Sequence, residues 1–287
     1  MKGLNSLGLV YSRYGDNVKA LQLFEEAEGY LQNVLDPILN GRILISKAII
    51  LFKRDHFADL LTRHTRETLF AAQNDLKVDA SDRVTARRLL NSVIQSLLPT
   101  NSRELATAYH NLGELCLMER KNDEAIDCFS NAIQVAEIEN DTYTLVNSLQ
   151  RLTLTAYIKD DLTQFQEFKK KFDSARLKLT ALEETARYVM RYYITVGNFY
   201  YDKLFKDSGE KNFAENFREA FGAYTDAFLH TRSYAKGSTE FAQEVFAERI
   251  FDVLKSKTVP QNLRDELLKK WQENELNTND LQRYFDF

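Results

Sequence analysis

The sequence predicts an all-α protein, a solenoid of antiparallel helix pairs, and three observations predict it. One figure recurs. Leu4-x2-Leu7-Gly8-x2-Tyr11 with Ala20-x3-Phe24-x2-Ala27 returns as Tyr109-x2-Leu112-Gly113-x2-Cys116 with Ala125-x3-Phe129-x2-Ala132. It returns again as Tyr193-x2-Val196-Gly197-x2-Tyr200 with Ala220-x3-Tyr224-x2-Ala227. Helix breakers are scarce, with 3 Pro and 10 Gly in 287 residues. Elsewhere the apolar residues fall at helical spacing, as in Leu162, Phe165, Phe168, Phe172, Ala175 and Leu179.

Taken in order, residues 1–35 form the first helix pair, broken at Gly15-Asp16. Asp36-Pro37 opens the next helix, a capping carboxylate followed by proline at the first turn. Residues 36–104 hold a degenerate stretch with an extra helix. Ile43, Ile45, Ile49 and Leu51 populate its first helix, Lys53-Arg54-Asp55 breaks it, and Phe57-Ala58 opens the second. A further helix spans Asp82 to Leu98. Three helices between two registered pairs would invert the central pair, so either one helix is split or an extra one lies near Leu76–Ala80.

Ser102 caps the central pair, residues 105–140, after the Pro99-Thr100-Asn101 stop. Residues 141–181 form a degenerate pair capped by Asp141 or Thr142, with the Lys169-Lys170-Lys171 run facing water. Residues 182–236 carry the third copy on long, tyrosine-rich helices joined by a polar turn, Lys206 to Lys211. Residues 237–287 give a closing pair that lacks the figure, and a tail ending Tyr284-Phe285-Asp286-Phe287 that could fold back as a plug. The first helix starts in the pattern with no capping segment, which suggests a piece of something longer or a helix docked on another domain.

The figure resembles the tetratricopeptide repeat (TPR) family. Gly113, Ala125, Phe129 and Ala132 each lie 105 residues beyond Gly8, Ala20, Phe24 and Ala27. That reads as three steps of 35, against the family's usual period of about 34. The resemblance implies a right-handed superhelical TPR-type solenoid, with first helices on the concave side and second helices on the convex side. Gly8, Gly113 and Gly197 are then expected to face Ala20, Ala125 and Ala220, so that paired helices approach closely.

The composition, 44% hydrophobic and 28% charged, is that of a folded chain. No apolar run of membrane-spanning length occurs, and a net charge of −4 disfavours a general nucleic-acid binder. Arg83 and Arg87 share a helix face, but Lys169 to Lys171 sweep around theirs, so no phosphate-binding stripe forms. Cys116 and Cys128 read as buried free thiols in a reducing compartment, which suggests the cytoplasm. His56, His64, His110 and His230 are scattered, and no phosphate loop, dinucleotide fingerprint or metal-ligand spacing occurs. No catalysis, metal or cofactor is expected.

The resemblance implies which side chains would line the concave groove. By register these are Asn5, Leu9 and Ser12, then His110, Glu114 and Leu117, then Arg191, Ile194, Asn198 and Tyr201, with Gln150 and Thr153 from the pair between. Asn111 and Arg191 also match members of the carboxylate clamp of the family's chaperone-binding branch, but in non-adjacent units. Mixed amide, arginine and aromatic character suits a peptide ligand. The resemblance thus implies an interaction scaffold or sensor that binds a peptide or protein segment. It is similar in kind to the sensor arrays of bacterial signal-transducing ATPases and to peptide-sensing regulators. The alternative is a structural subunit using its convex face and ends.

Overall fold

A computed structural model describes residues 2–31, 36–52, 54–75, 78–179, 182–206, 210–234, 236–257 and 259–277. The turn at 207–209 and the tail from 278 onward, including the expected plug, lie outside the described residues. Among the described residues the chain is all-helical, with no strand. No helix among them is long and apolar enough to cross a membrane.

The helices are α1 (Lys2–Arg13), α2 (Asn17–Leu31), α3 (Pro37–Leu51), α4 (Arg54–Arg63), α5 (Arg66–Asp75), α6 (Ala80–Leu97) and α7 (Arg103–Met118). They continue as α8 (Asn122–Ile138), α9 (Thr142–Lys159), α10 (Leu162–Arg176), α11 (Leu182–Lys206), α12 (Glu210–Tyr234), α13 (Thr239–Ser256) and α14 (Gln261–Glu273). Two compact units result: residues 1–61 with 70–155, and residues 62–69 with 156–287.

Local chemistry sets the helix ends. Asp36 Oδ1 accepts from Leu39 N at 2.9 Å and Ser102 Oγ from Leu105 N at 3.4 Å, starting α3 and α7. Asp141 does the same for α9 through Thr144 N and Thr144 Oγ1. Four turns between consecutive helices close with the same bond from the residue after a left-handed one, as does the end of α14, where Glu275 is left-handed and Leu276 N donates to Trp271 O. Asp16 N donates to Tyr11 O, Lys121 N to Cys116 O, Asp141 N to Ala136 O and Asp161 N to Ala156 O. In these four turns the left-handed residues are Gly15, Arg120, Asn140 and Asp160, with φ of 84°, 61°, 54° and 58°.

In the first unit α1 packs on α2 and α7 on α8. The partner of α3 is α6, not the helix that follows it. A methyl added at Gly41, early in α3, would meet Leu97 Cδ1 at 3.0 Å and Val93 Cγ1 at 3.4 Å, late in α6, so the two run antiparallel. The expected second helix of the degenerate repeat is split at His64–Thr65 into α4 and α5, and this split pair is inserted between α3 and its partner. Four helices therefore separate α2 from α7 and the alternation is kept. The spacing of 105 spans two helix pairs and an insertion, not three equal repeats.

The three figure glycines are buried, but the groups that fill their notches are rings. A methyl at Gly8 would meet Phe24 Cε1 at 2.5 Å and one at Gly113 would meet Phe129 Cε1 at 2.6 Å. At Gly197 the ring is Tyr224. The alanines expected to face the glycines are fully buried one turn earlier on the second helix. Close approach thus admits an aromatic face over a bare backbone, and each such ring contributes about 1.5–3 kcal/mol by burial.

In the second unit α10 lies on α11 through Phe165 stacked on Phe199 at 3.8 Å and Phe172 stacked on Tyr192 at 3.7 Å. Helices α11 and α12 form the longest pair, and α12 carries α13 and α14. Trp271 on α14 donates to Thr225 Oγ1 at 3.1 Å, and Lys270 meets Asp226 at 2.7 Å. Phe217, Phe221, Phe246 and Trp271 are among the buried residues of this unit's core.

Candidate functional site

The expected groove residues fall at three places. On α1, Leu9 is 40% exposed, while Asn5 and Ser12 are half-buried. On α7 and α9, His110, Asn111, Glu114, Leu117, Gln150 and Thr153 are all buried. On α11, Arg191, Ile194, Asn198 and Tyr201 are buried as well. Helix α3 packs against both α1 and α7, so the α1 trio stands one helix pair away from the α7 group.

The α7 and α9 residues spend their polar atoms on one another. His110 Nδ1 and Ser148 Oγ lie 2.9 Å apart, Asn147 Nδ2 reaches His110 Nε2 at 2.9 Å, and Arg151 Nε donates to Glu114 Oε1 at 2.7 Å. His110 Nε2 lies 3.5 Å from the same carboxylate oxygen. Burial alone would raise the Glu114 pKa. The Arg151 charge and the His110 hydrogen bond overcome it and hold the carboxyl well below the usual carboxylate range. Among the described residues, Arg151 Nη1 and Nη2 and Glu114 Oε2 have no hydrogen-bond partner. This is a buried ion pair with a polar collar, a device that fixes how two helices meet. Thr153 and Asn111 bond to carbonyls of their own helices, at Leu149 and Thr107.

A different arrangement surrounds α11 and α13, where the side chains hold backbone. Asn198 Nδ2 lies 3.4 Å from Thr62 O and 3.4 Å from His64 O, and Arg249 Nη2 donates to Arg63 O at 2.6 Å. These are carbonyls at the end of α4 and in its following turn, where a helix runs out of backbone donors. A guanidinium there also meets the negative end of the helix dipole. Next along, the N–H of Arg66 donates to Tyr157 Oη at 2.6 Å, and that hydroxyl donates to Asp202 at 2.7 Å.

The support beneath the clasp is aromatic. Tyr224 Oη donates to Asn198 Oδ1 at 2.7 Å, which turns the amide's N–H groups toward the carbonyls. The Arg249 guanidinium lies 5.3 Å above the Tyr201 ring, and Tyr201 Oη donates to Asp252 at 3.3 Å. Burial pushes the Tyr157 hydroxyl well up, with the Asp202 charge adding to it, so the proton that Asp202 receives stays in place. His64, in the clasped turn, is pushed down by burial and then by the charges of Arg249 and Arg63.

Two side chains of the held segment are read by carboxylates. Arg63 Nη2 meets Glu248 at 2.8 Å and Glu244 at 3.2 Å, and Arg66 Nη1 meets Asp160 at 2.6 Å. Of the residues named from sequence, Asn198 and Tyr201 belong to this constellation, while Arg249, Tyr157, Asp202 and the carboxylates were missed. Arg249 sits on a helix without the recurring figure, so no register reached it. In the first unit Asn147, Ser148 and Arg151 of α9 bond to His110 and Glu114 of α7, and the register did not name them.

No protein-family model matches the chain, and a comparison with curated proteins finds no match.

Proposed function

We propose that the chain is an interaction scaffold or sensor of the TPR kind, a right-handed solenoid whose first helices take up a peptide or a segment of another protein. No catalytic step, cofactor or metal enters this reading, and no nucleic acid or membrane. The recurring glycine and ring figure supports the family resemblance. One observation carries the functional part: Asn198 and Arg249 hold three successive backbone carbonyls, Thr62 to His64, of a segment remote in sequence. Amide and guanidinium groups fixed by Tyr224 and Tyr201 are suited to polypeptide backbone whatever its side chains.

A tiled array of unstructured peptides, probed with the full chain and with Asn198→Leu and Arg249→Met, tests it. A subset of peptides should bind the parent and be lost by both variants, with far-ultraviolet circular dichroism unchanged. Equal binding by variants and parent would remove the clasp from the function.

A structural subunit is the second reading. Leu7, Val10 and Val18 on the first helix pair are 44%, 44% and 70% exposed, an apolar edge that an assembly contact would cover. Light scattering at a multiple of 33.3 kDa would favour it.

A further inference from the structure

We infer that the segment Thr62–Leu69 is a tethered occupant of the α11–α13 clasp, and that the outside ligand of this face is a peptide carrying two arginines three residues apart across a helix-ending turn. The inference rests on the peptide-binding reading and adds the ligand's class and its regulation.

The segment's membership is the first ground. Residues 62–69 group with 156–287, whereas the residues on either side, up to Leu61 and from Phe70, group with the first unit. Helices α4 and α5 have 10 residues each and break within this stretch. Helices so short are marginal by themselves, so the turn between them keeps its shape through what it touches.

What it touches divides into two kinds of recognition. The carbonyls of Thr62, Arg63 and His64 and the N–H of Arg66 are met by Asn198, Arg249 and Tyr157, contacts that any peptide of this backbone shape would make. The side chains of Arg63 and Arg66 are met by Glu244, Glu248 and Asp160. Those carboxylates set a spacing: a cation at one position, and another three residues on. Thr62, Thr65 and Leu69 of the segment are buried as well.

The ion-pair part of the hold is of a releasable kind. Arg63, Glu244 and Glu248 have side chains 42%, 57% and 44% exposed, and ion pairs so open to water are weak and weakened further by salt. Connection to the same chain keeps the segment at high effective concentration, so it occupies the face even where those ion pairs are weak. An outside peptide must compete with it, and its apparent affinity falls by the fraction of molecules in which the face is open.

The experiment uses a fluorescent peptide of the sequence Thr-Arg-His-Thr-Arg-Glu-Thr-Leu and the full chain, as parent and as Arg63→Glu/Arg66→Glu. The double variant should bind the peptide about tenfold tighter or more than the parent, and a peptide with both arginines replaced by glutamate should bind neither. Hydrogen exchange at the Arg66 amide should quicken in the variant. It should also quicken in the parent when the peptide is added in excess, a readout that stands even if the variant does not fold. Equal affinity of parent and variant, or an Arg66 amide indifferent to excess peptide, overturns the inference. Clasp-dependent binding of array peptides with no arginine preference would overturn it and leave the scaffold reading standing, whereas no binding of any peptide ends both.

Discussion

The hydroxyl of Tyr224 donates to the side-chain oxygen of Asn198 at 2.7 Å, and the ring that carries it covers the notch at Gly197. One residue thus serves packing and the positioning of Asn198 together. The two other copies of the figure have phenylalanine at this place, Phe24 and Phe129, and lack the hydroxyl. Burial pushes the Tyr224 pKa far up, so it remains a donor at any ordinary pH.

Tyr224→Phe keeps the ring over Gly197 and removes only the bond to Asn198. A loss of about 1 kcal/mol in global stability is expected, with a larger loss of amide protection at residue 66 than elsewhere. Uniform protection changes would show that the hydroxyl does not orient the clasp.

Gly113→Ala places a methyl 2.6 Å from the Phe129 ring. Overpacking should cost about 1–3 kcal/mol, against a gain of about 1 kcal/mol in helix propensity. In a Phe129→Leu background the same change should become neutral or stabilising, a coupling of about 0.5–3 kcal/mol by urea denaturation. Additivity of the two changes would mean that ring and glycine do not meet.

Arg151→Met strands a fully buried Glu114 and should destabilise by about 3–5 kcal/mol, whereas Glu114→Leu together with Arg151→Met should recover most of it. The pH dependence follows the same pair. The folded Glu114 pKa is depressed, so the pair's contribution is present above about pH 4.3, the unfolded value, and is lost as pH falls below it. Acid titration of the double variant should lack that loss.

His230 is pulled down to about 4, first by burial and then by the charge of Arg176. Its neutral form is favoured in the folded chain, so its contribution is intact above the unfolded value near pH 6.5 and declines as pH falls toward 4. The melting temperature of His230→Phe should vary less over that window than the parent's. Matching profiles would remove His230 as the cause.

The helix ends and glycine notches were legible because both obey rules a few residues long. Asp36, Ser102 and Asp141 cap by reaching three residues ahead, and a glycine in a helix announces a neighbour lying close. What filled the notch was less legible, since alanine and aromatic stand one turn apart on the same face. The insertion of α4 and α5 was hidden by the evenness of α3, whose run Ile43 to Leu51 offers apolar side chains to any partner. A spacing of 105 that divides into equal steps then concealed the detour. The clasp stayed half invisible because Arg249 and Tyr157 are recruited by a contact across more than 90 positions of sequence, which no local pattern encodes.

The notch and its ring also constrain how this chain can change over generations. Each half carries a cost when changed alone: a bulkier residue at Gly113 collides with the ring, and a smaller one at Phe129 opens a void. A change at one place therefore alters what the other can accept. At the Gly197 copy a further demand is added, because a replacement for Tyr224 without a hydroxyl also gives up the bond to Asn198.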